Sequence, residues 1–353
     1  MTSLLDRRFL VISGKGGVGR TTVAAALARA AADAGKRVLV AQASAADRLG
    51  RLFGRFGPIG TDVTTLAPGI DAVNMTPQSA LHEYGLMVLR SELVYRALFE
   101  NRAVRGFLGA IPGLDAYAML GKAWWHTTEG TPHRPRYDLV ILDGPASGHA
   151  TLMLRIPGAI LTAMPKGPLA RDARAMRELL TDPARAAFVI VTLAEELPAR
   201  ETAELAAAAR GPLGLPLGPV IVNAVPSDAL SNPDADAVLG PLAALTGDPE
   251  PPARDARDTL TRPAPRVGGD APLAATLRLA ASLRSHRRVA DEQLERLRRA
   301  PGGPLIVLPR LPTADIGPAE VALLAARLAA APAPGLPEPP LGTGPDVVRQ
   351  SRA

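Results

Sequence analysis

The first firm pattern in the chain is an apolar run, Phe9-Leu10-Val11-Ile12-Ser13, that passes directly into Gly14-Lys15-Gly16-Gly17-Val18-Gly19-Arg20-Thr21-Thr22. An alanine-rich stretch, Thr21–Ala34, comes next, then a second apolar run, Arg37–Ala41. Short apolar runs that stop at turn residues read as strands buried on both faces. Strand, glycine loop, helix, strand is a βαβ unit. Its strands lie parallel, and its crossover is right-handed. Further runs of the same kind are Leu139–Leu142, Phe188–Leu193, Pro219–Asn223 and Leu305–Leu308. Repeated alternation of this type predicts an α/β fold, a doubly wound, mainly parallel sheet.

The spacing is uneven. Roughly a hundred residues separate Arg37–Ala41 from Leu139–Leu142, far more than a crossover needs. Apolar residues at three- and four-residue spacing predict helices over Pro77–Leu89, Ser91–Phe107 and Leu114–Trp125. The expectation is one domain over 1–330 with helical insertions at about 70–135 and 227–300, the second containing a helix Leu273–Arg299. Residues 331–353 are rich in Pro and Gly and read as a disordered tail.

The loop has the spacing G-x-x-x-x-G-K-[ST], with Arg20 where lysine belongs. Such a loop cradles phosphate. Gly14, Gly16, Gly17, Val18 and Gly19 bring backbone N–H groups round the oxygens, and the helix that opens at Thr21 and Thr22 adds its positive end. Thr21 is placed to ligate Mg²⁺. Asp143 ends a buried strand, the right form for a second magnesium-site residue.

Two further features narrow the reading. Lys15 follows the first glycine, giving the pattern K-G-G-x-G-[K]-[ST]. Asp143-Gly144-Pro145-Ala146-Ser147-Gly148-His149 follows the Leu139–Leu142 run, and Leu152–Pro157 follows that. The first pattern resembles the deviant phosphate-loop ATPases. The second resembles their ArsA and tail-anchored-protein-targeting branch. Phe188–Thr202 and Leu308–Gly317 are similar to further family segments, so the resemblance covers about residues 8–330. It implies ATP and Mg²⁺ as ligands. It also implies a dimer, with itself or with an ArsA-like paralogue, in which Lys15 reaches the partner's nucleotide, and a client it does not name. Asn223 matches the residue that reads adenine in relatives; a strand-end cap is the plainer alternative. His149 is either a coupling residue or a satisfied loop histidine. Trp124 and Trp125 read as core or interface packing.

The chain departs from the family pattern twice. Arg20 keeps the charge of the usual lysine but not its compact shape. The water-positioning carboxylate expected after the second strand falls on Ser44, which cannot act as a base at neutral pH. The catalytic set implied by resemblance is therefore Lys15, Arg20 and Asp143, with slow or absent hydrolysis. The alternative function is an impaired nucleotide-binding or interaction subunit that pairs with an active paralogue.

Composition sharpens these points. There is no cysteine, so disulfides, thiolate metal sites and Fe–S clusters are excluded. That sets aside the cluster-binding, thiolate-metalloid and zinc-clamped branches of the family. Lysine occurs at only four positions, Lys15, Lys36, Lys122 and Lys166, among 40 basic residues, so a lysine at the loop is notable. Net charge is +6 with aromatics at 3%, too few stacking residues for a nucleic-acid binder. No apolar stretch is long enough for a membrane span, so a cytoplasmic protein that is not integral to a membrane is expected.

Overall fold

The computed structural model describes residues 3–43, 48–89, 91, 93, 113–131, 133–228, 271–299, 304–313 and 315–330. Strands β1 (Phe9–Ser13), β2 (Val38–Gln42) and β7 (Leu139–Asp143) are buried along their whole length. Side chains alternate between the faces of a sheet, so a strand covered on both faces is apolar along its run, and only the last residues, Ser13, Gln42 and Asp143, are polar. Strands β8 (Ala186–Leu193), β9 (Leu217–Val225) and β10 (Leu305–Pro309) lengthen the runs read from sequence by one to four residues.

With β3 (Thr64–Ala67) and β4 (Ile70–Asn74), these strands form an eight-stranded sheet of order β10-β9-β8-β1-β7-β2-β4-β3. Every neighbouring pair is parallel except β3 with β4. The sequence reading missed β3 and β4 and began the first helical insertion near residue 70. Ile70–Asn74 is instead a strand beside β2, in register from Val38↔Ile70 to Gln42↔Asn74. The Asp71 and Asn74 side chains interrupt its apolar pattern and hid it. A two-residue hairpin, β5 (Gly130–Thr131) with β6 (Arg134–Pro135), lies outside this sheet.

The sheet has a core on each face. On one, Leu10, Ile12, Val40, Ile141 and Val191 pack against helices α1 (Arg20–Asp33) and α9 (Pro318–Ala329). Ala24, Ala25, Ala26 and Ala28 of α1 have no exposed surface. Methyl side chains let this helix lie close to the sheet and to α9 at once, which explains its composition. The short helix α2 (Leu49–Leu52) closes the same side. On the other face, Phe9, Val11, Leu142, Phe188 and Ile190 meet α3 (Pro77–Leu89), α4 (Leu114–His126), α5 (Ser147–Ala163), α6 (Pro168–Thr181) and α7 (Glu196–Arg210). Helix α8 (Ala271–Arg299) joins through Ala290, Leu294 and Leu297, which pack with Val222 and Val225 of β9. The helices expected at Pro77–Leu89, Leu114–Trp125 and Leu273–Arg299 are therefore present within two residues of their expected bounds. Most of Ser91–Phe107, Ser44–Asp47, residues 229–270 and the 331–353 tail lie outside the described residues. No helix among the described residues is long and apolar enough to cross a membrane.

Helices α3 and α4 are joined by polar groups as well as apolar ones. Tyr84 and Tyr117 share a hydroxyl–hydroxyl hydrogen bond of 3.1 Å. The Lys122 ammonium, almost fully buried, donates to Glu83 Oε1 at 2.7 Å and to the Thr61 carbonyl at 3.1 Å. Trp124 packs on the core, as expected for a half-buried indole.

His126 ends α4, and its ring is buried. Nδ1 meets Glu129 Oε2 at 2.9 Å, and buried Nε2 has no hydrogen-bond partner among the described residues. Burial holds the ring below the ordinary histidine value, with Glu129 pulling the other way. The unfolded chain, with its ring near 6.5, thus takes up the proton first as pH falls. Stability is full above about pH 6.5 and declines as pH drops from there through the depressed folded value. Denaturant melts from pH 7.5 to 5 should show this decline, and His126→Gln should flatten it. An unchanged slope in the variant would assign the acid sensitivity elsewhere.

Candidate functional site

In a doubly wound sheet, ligands bind at the carboxyl ends of the strands where the strand order reverses. Here that point is β1, flanked by β7 on one side and β8 on the other. Gly14–Gly19 leaves the end of β1 and turns into the first residue of α1. Gly14 has φ 153°, and a Cβ there would overlap the Val191 carbonyl at the end of β8. Gly19, with φ 90°, caps α1 in the left-handed region, and a side chain there would strike the Asn223 amide. By contrast a Cβ on Gly16 or Gly17 would meet nothing within 4 Å, so the loop's outer side is open space.

Strand β7 delivers Asp143 beside the loop. The Thr21 hydroxyl donates to Asp143 Oδ2 at 2.7 Å, although 122 residues separate them. Asp143 is only 2% exposed. Burial pushes its carboxyl above the usual range, while the Thr21 hydrogen bond, the Arg20 charge and a hydrogen bond from Gln42 pull it down. Gln42 is buried at the end of β2, in register with Asp143. A hydroxyl next to a carboxylate is a hard-oxygen donor pair, which fits magnesium by its chemistry. No cluster of three or more His, Asp or Glu that could hold a metal occurs among the described residues.

Arg20 opens α1, and its Nη1 donates to the Gly144 carbonyl at 2.9 Å. Burial disfavours the guanidinium's charge, and Asp143 favours it. The turn after β7 is bonded back to β1 and the loop. The Gly144 N–H donates to Ile12 O at 3.0 Å, Ser147 N–H to Gly14 O at 3.1 Å, and the Ser13 hydroxyl to Pro145 O at 3.1 Å. Ser147 then begins α5, with Gly148 and His149 exposed in its first turn.

Asn223, on β9, donates its amide to the Val18 carbonyl at 3.0 Å. Its neighbour Ala224 has φ 53°, uncommon for a residue with a Cβ. Lys15 pairs with Glu201 of α7 at 3.1 Å, both side chains about one-third exposed. Thus Gly14, Gly16, Gly17, Val18, Gly19, Arg20, Thr21, Thr22, Asp143 and Asn223 are gathered at the carboxyl ends of the central strands, with Lys15 on the rim. Sequence reasoning did not single out Glu201 or Ser13. Glu201 lies in the Phe188–Thr202 segment already noted, but nothing in the sequence marked it as the partner of Lys15.

A glycine loop between a central parallel strand and a helix, with a buried aspartate on the adjacent strand, defines a phosphate-loop NTPase fold. Residues 7–167 match the model of the anion-transporting ATPase family, and over that part the chain is similar to ArsA-like ATPases. It is 29% identical over 222 residues to ATPase BagA of Mycobacterium tuberculosis, covering 61% of this chain and 64% of that one. An arsenical pump-driving ATPase of Escherichia coli is 27% identical over 237 residues, covering 62% of this chain and 39% of the relative. ATPase GET3 of Kluyveromyces lactis is 25% identical over 233 residues, covering 56% and 66%. The chain thus spans less than two-thirds of the length of these relatives.

Proposed function

We propose that this chain binds Mg-ATP on the Gly14–Thr22 loop and couples nucleotide state to the opening and closing of a dimer. The observation that carries the reading is the Thr21–Asp143 pair at 2.7 Å beside an open glycine cradle. Backbone N–H groups of Gly14–Gly19 and the α1 N-terminus would hold the phosphates. Thr21 and Asp143 would hold Mg²⁺, which when bound neutralises phosphate charge. Asn223 sits against the loop at Val18, close enough to the cradle for an adenine-reading role; its bond to the Val18 carbonyl equally suits a residue that braces the loop.

Lys15 would act on the partner's nucleotide, and for that it must leave Glu201. A pair this exposed is worth about 0–1 kcal/mol, so the release is cheap. The dimer partner would be a second copy or an ArsA-like paralogue.

A second reading is favoured by Arg20, a guanidinium engaged with Gly144 where the family pattern has a compact ammonium. On that reading the chain binds nucleotide, turns it over slowly or not at all, and pairs with an active paralogue. Native mass spectrometry with Mg-ATP, together with turnover of the chain alone and mixed with a paralogue, separates the two. One bound nucleotide per chain and a dimer that forms only with nucleotide support the first reading. Turnover at ordinary enzyme rates, about 1–10³ s⁻¹, by the chain alone overturns the second. Absence of nucleotide binding overturns both.

A further inference from the structure

We infer that Arg20 is a positioning residue that ties the turn after β7 to bound phosphate, a task a lysine at this position would not perform. The inference rests on the nucleotide-binding reading above.

Consecutive residues of the loop grip consecutive residues at the end of β7. Thr21 holds Asp143 by its carboxylate, and Arg20 holds Gly144 by its carbonyl. The 144–147 turn is therefore fixed at four atoms. The Gly144 N–H goes to Ile12, the Pro145 carbonyl to Ser13, the Ser147 N–H to Gly14, and the Gly144 carbonyl to Arg20. Three of those anchors are backbone or a short hydroxyl on β1 and the first loop glycine, and they do not depend on a ligand. Only the fourth is a long cationic side chain rooted in the phosphate cradle.

Guanidinium carries five N–H donors in one rigid plane, and the Gly144 carbonyl accepts from a single nitrogen, Nη1. The rest of the fork remains for a phosphate oxygen, which arginine meets with fixed directionality. One plane can then hold phosphate and carbonyl together, so a bound phosphate is felt at Gly144 and, three residues on, at the start of α5. An ammonium is a point charge with rotatable donors. It can hold the phosphate, but it does not impose a direction on a second acceptor. The exchange of lysine for arginine thus trades catalytic fit for mechanical coupling.

Hydrogen–deuterium exchange of a peptide covering 144–152 tests this in the full chain. Wild type, Arg20→Lys and Arg20→Ala are compared without ligand and with saturating Mg-ADP and Mg-AMPPNP. In wild type, nucleotide is expected to slow exchange of this segment at least tenfold. In Arg20→Lys, nucleotide still binds, and the slowing falls to threefold or less. In Arg20→Ala, both binding and slowing are lost. Full slowing in Arg20→Lys overturns the inference and makes Arg20 a simple stand-in for lysine. An Arg20→Lys protein that binds no nucleotide at millimolar concentration overturns it too, because the phosphate contact would then need arginine itself. Wild type that binds no nucleotide removes the underlying reading instead.

Discussion

Replacing Glu83 by alanine is expected to cost about 1–3 kcal/mol of stability, the penalty for leaving a buried donor short of an acceptor; the pair is open to water on the Glu83 side, which keeps the loss below that of a fully buried ion pair. Lys122 is 2% exposed and has two acceptors, Glu83 Oε1 and the Thr61 carbonyl. Without Glu83 only the carbonyl is left, and an ammonium has been left in the core between α3 and α4. Glu83 itself is 41% exposed, so removing the lysine is the milder change, since the carboxylate can turn to water. Lys122→Met in the Glu83→Ala background should recover most of the loss, because an apolar side chain of similar length suits the site. Urea melts of the two single variants and the double variant give the coupling directly. A Glu83→Ala protein as stable as the parent would mean that water already reaches Lys122.

Asp143→Asn is expected to erase the effect of magnesium on nucleotide binding. The amide matches the carboxylate in size, and its oxygen can still accept from Thr21, so the end of β7 should hold its place. What disappears is the charge. ATP titrations in magnesium and in EDTA should then coincide for the variant and differ for the parent. Any turnover the parent shows should fall by on the order of 10²–10³, the range seen when one charge-stabilising group is removed. A magnesium effect of the parent's size in the variant would take Asp143 out of the metal site. Thr21→Ala offers a parallel check, since it removes the hydroxyl and leaves the carboxylate.

Much of the sheet was legible because strands covered on both faces cannot hide polar residues. β1, β2, β7, β8, β9 and β10 all announced themselves as apolar runs ending at turns. β3 and β4 did not. β4 carries Asp71, whose carboxylate accepts from Thr65 and Tyr137, and β3 is half-exposed. Polar residues satisfied by long-range partners look like loop in a linear reading. The site divides along the same line. The glycine spacing of the loop follows from backbone geometry, and it is visible locally. That Thr21 meets Asp143, that Arg20 meets Gly144 and that Lys15 meets Glu201 depends on strand order, which brings together residues 122, 124 and 186 positions apart. Strand order cannot be read from any single segment. Asp143 was found because it ends a buried strand and also opens the Asp143–His149 segment that resembles the family pattern. Glu201, one of several acidic residues on a solvated helix, had no such mark.

The two outer strands of the sheet bear on how this chain can meet another. Among the described residues β10 forms one edge, preceded by Pro304 and ending at Pro309, neither of which has an N–H to offer. β3 forms the other, four residues long, with its register broken between Thr65 and Ala67. Prolines and irregular short edges are poor templates for an added strand. The sheet is thus guarded against growing from chain to chain. A partner of this protein is then expected to be held by side chains and loops, and contacts of that kind can be made and undone without peeling one backbone from another.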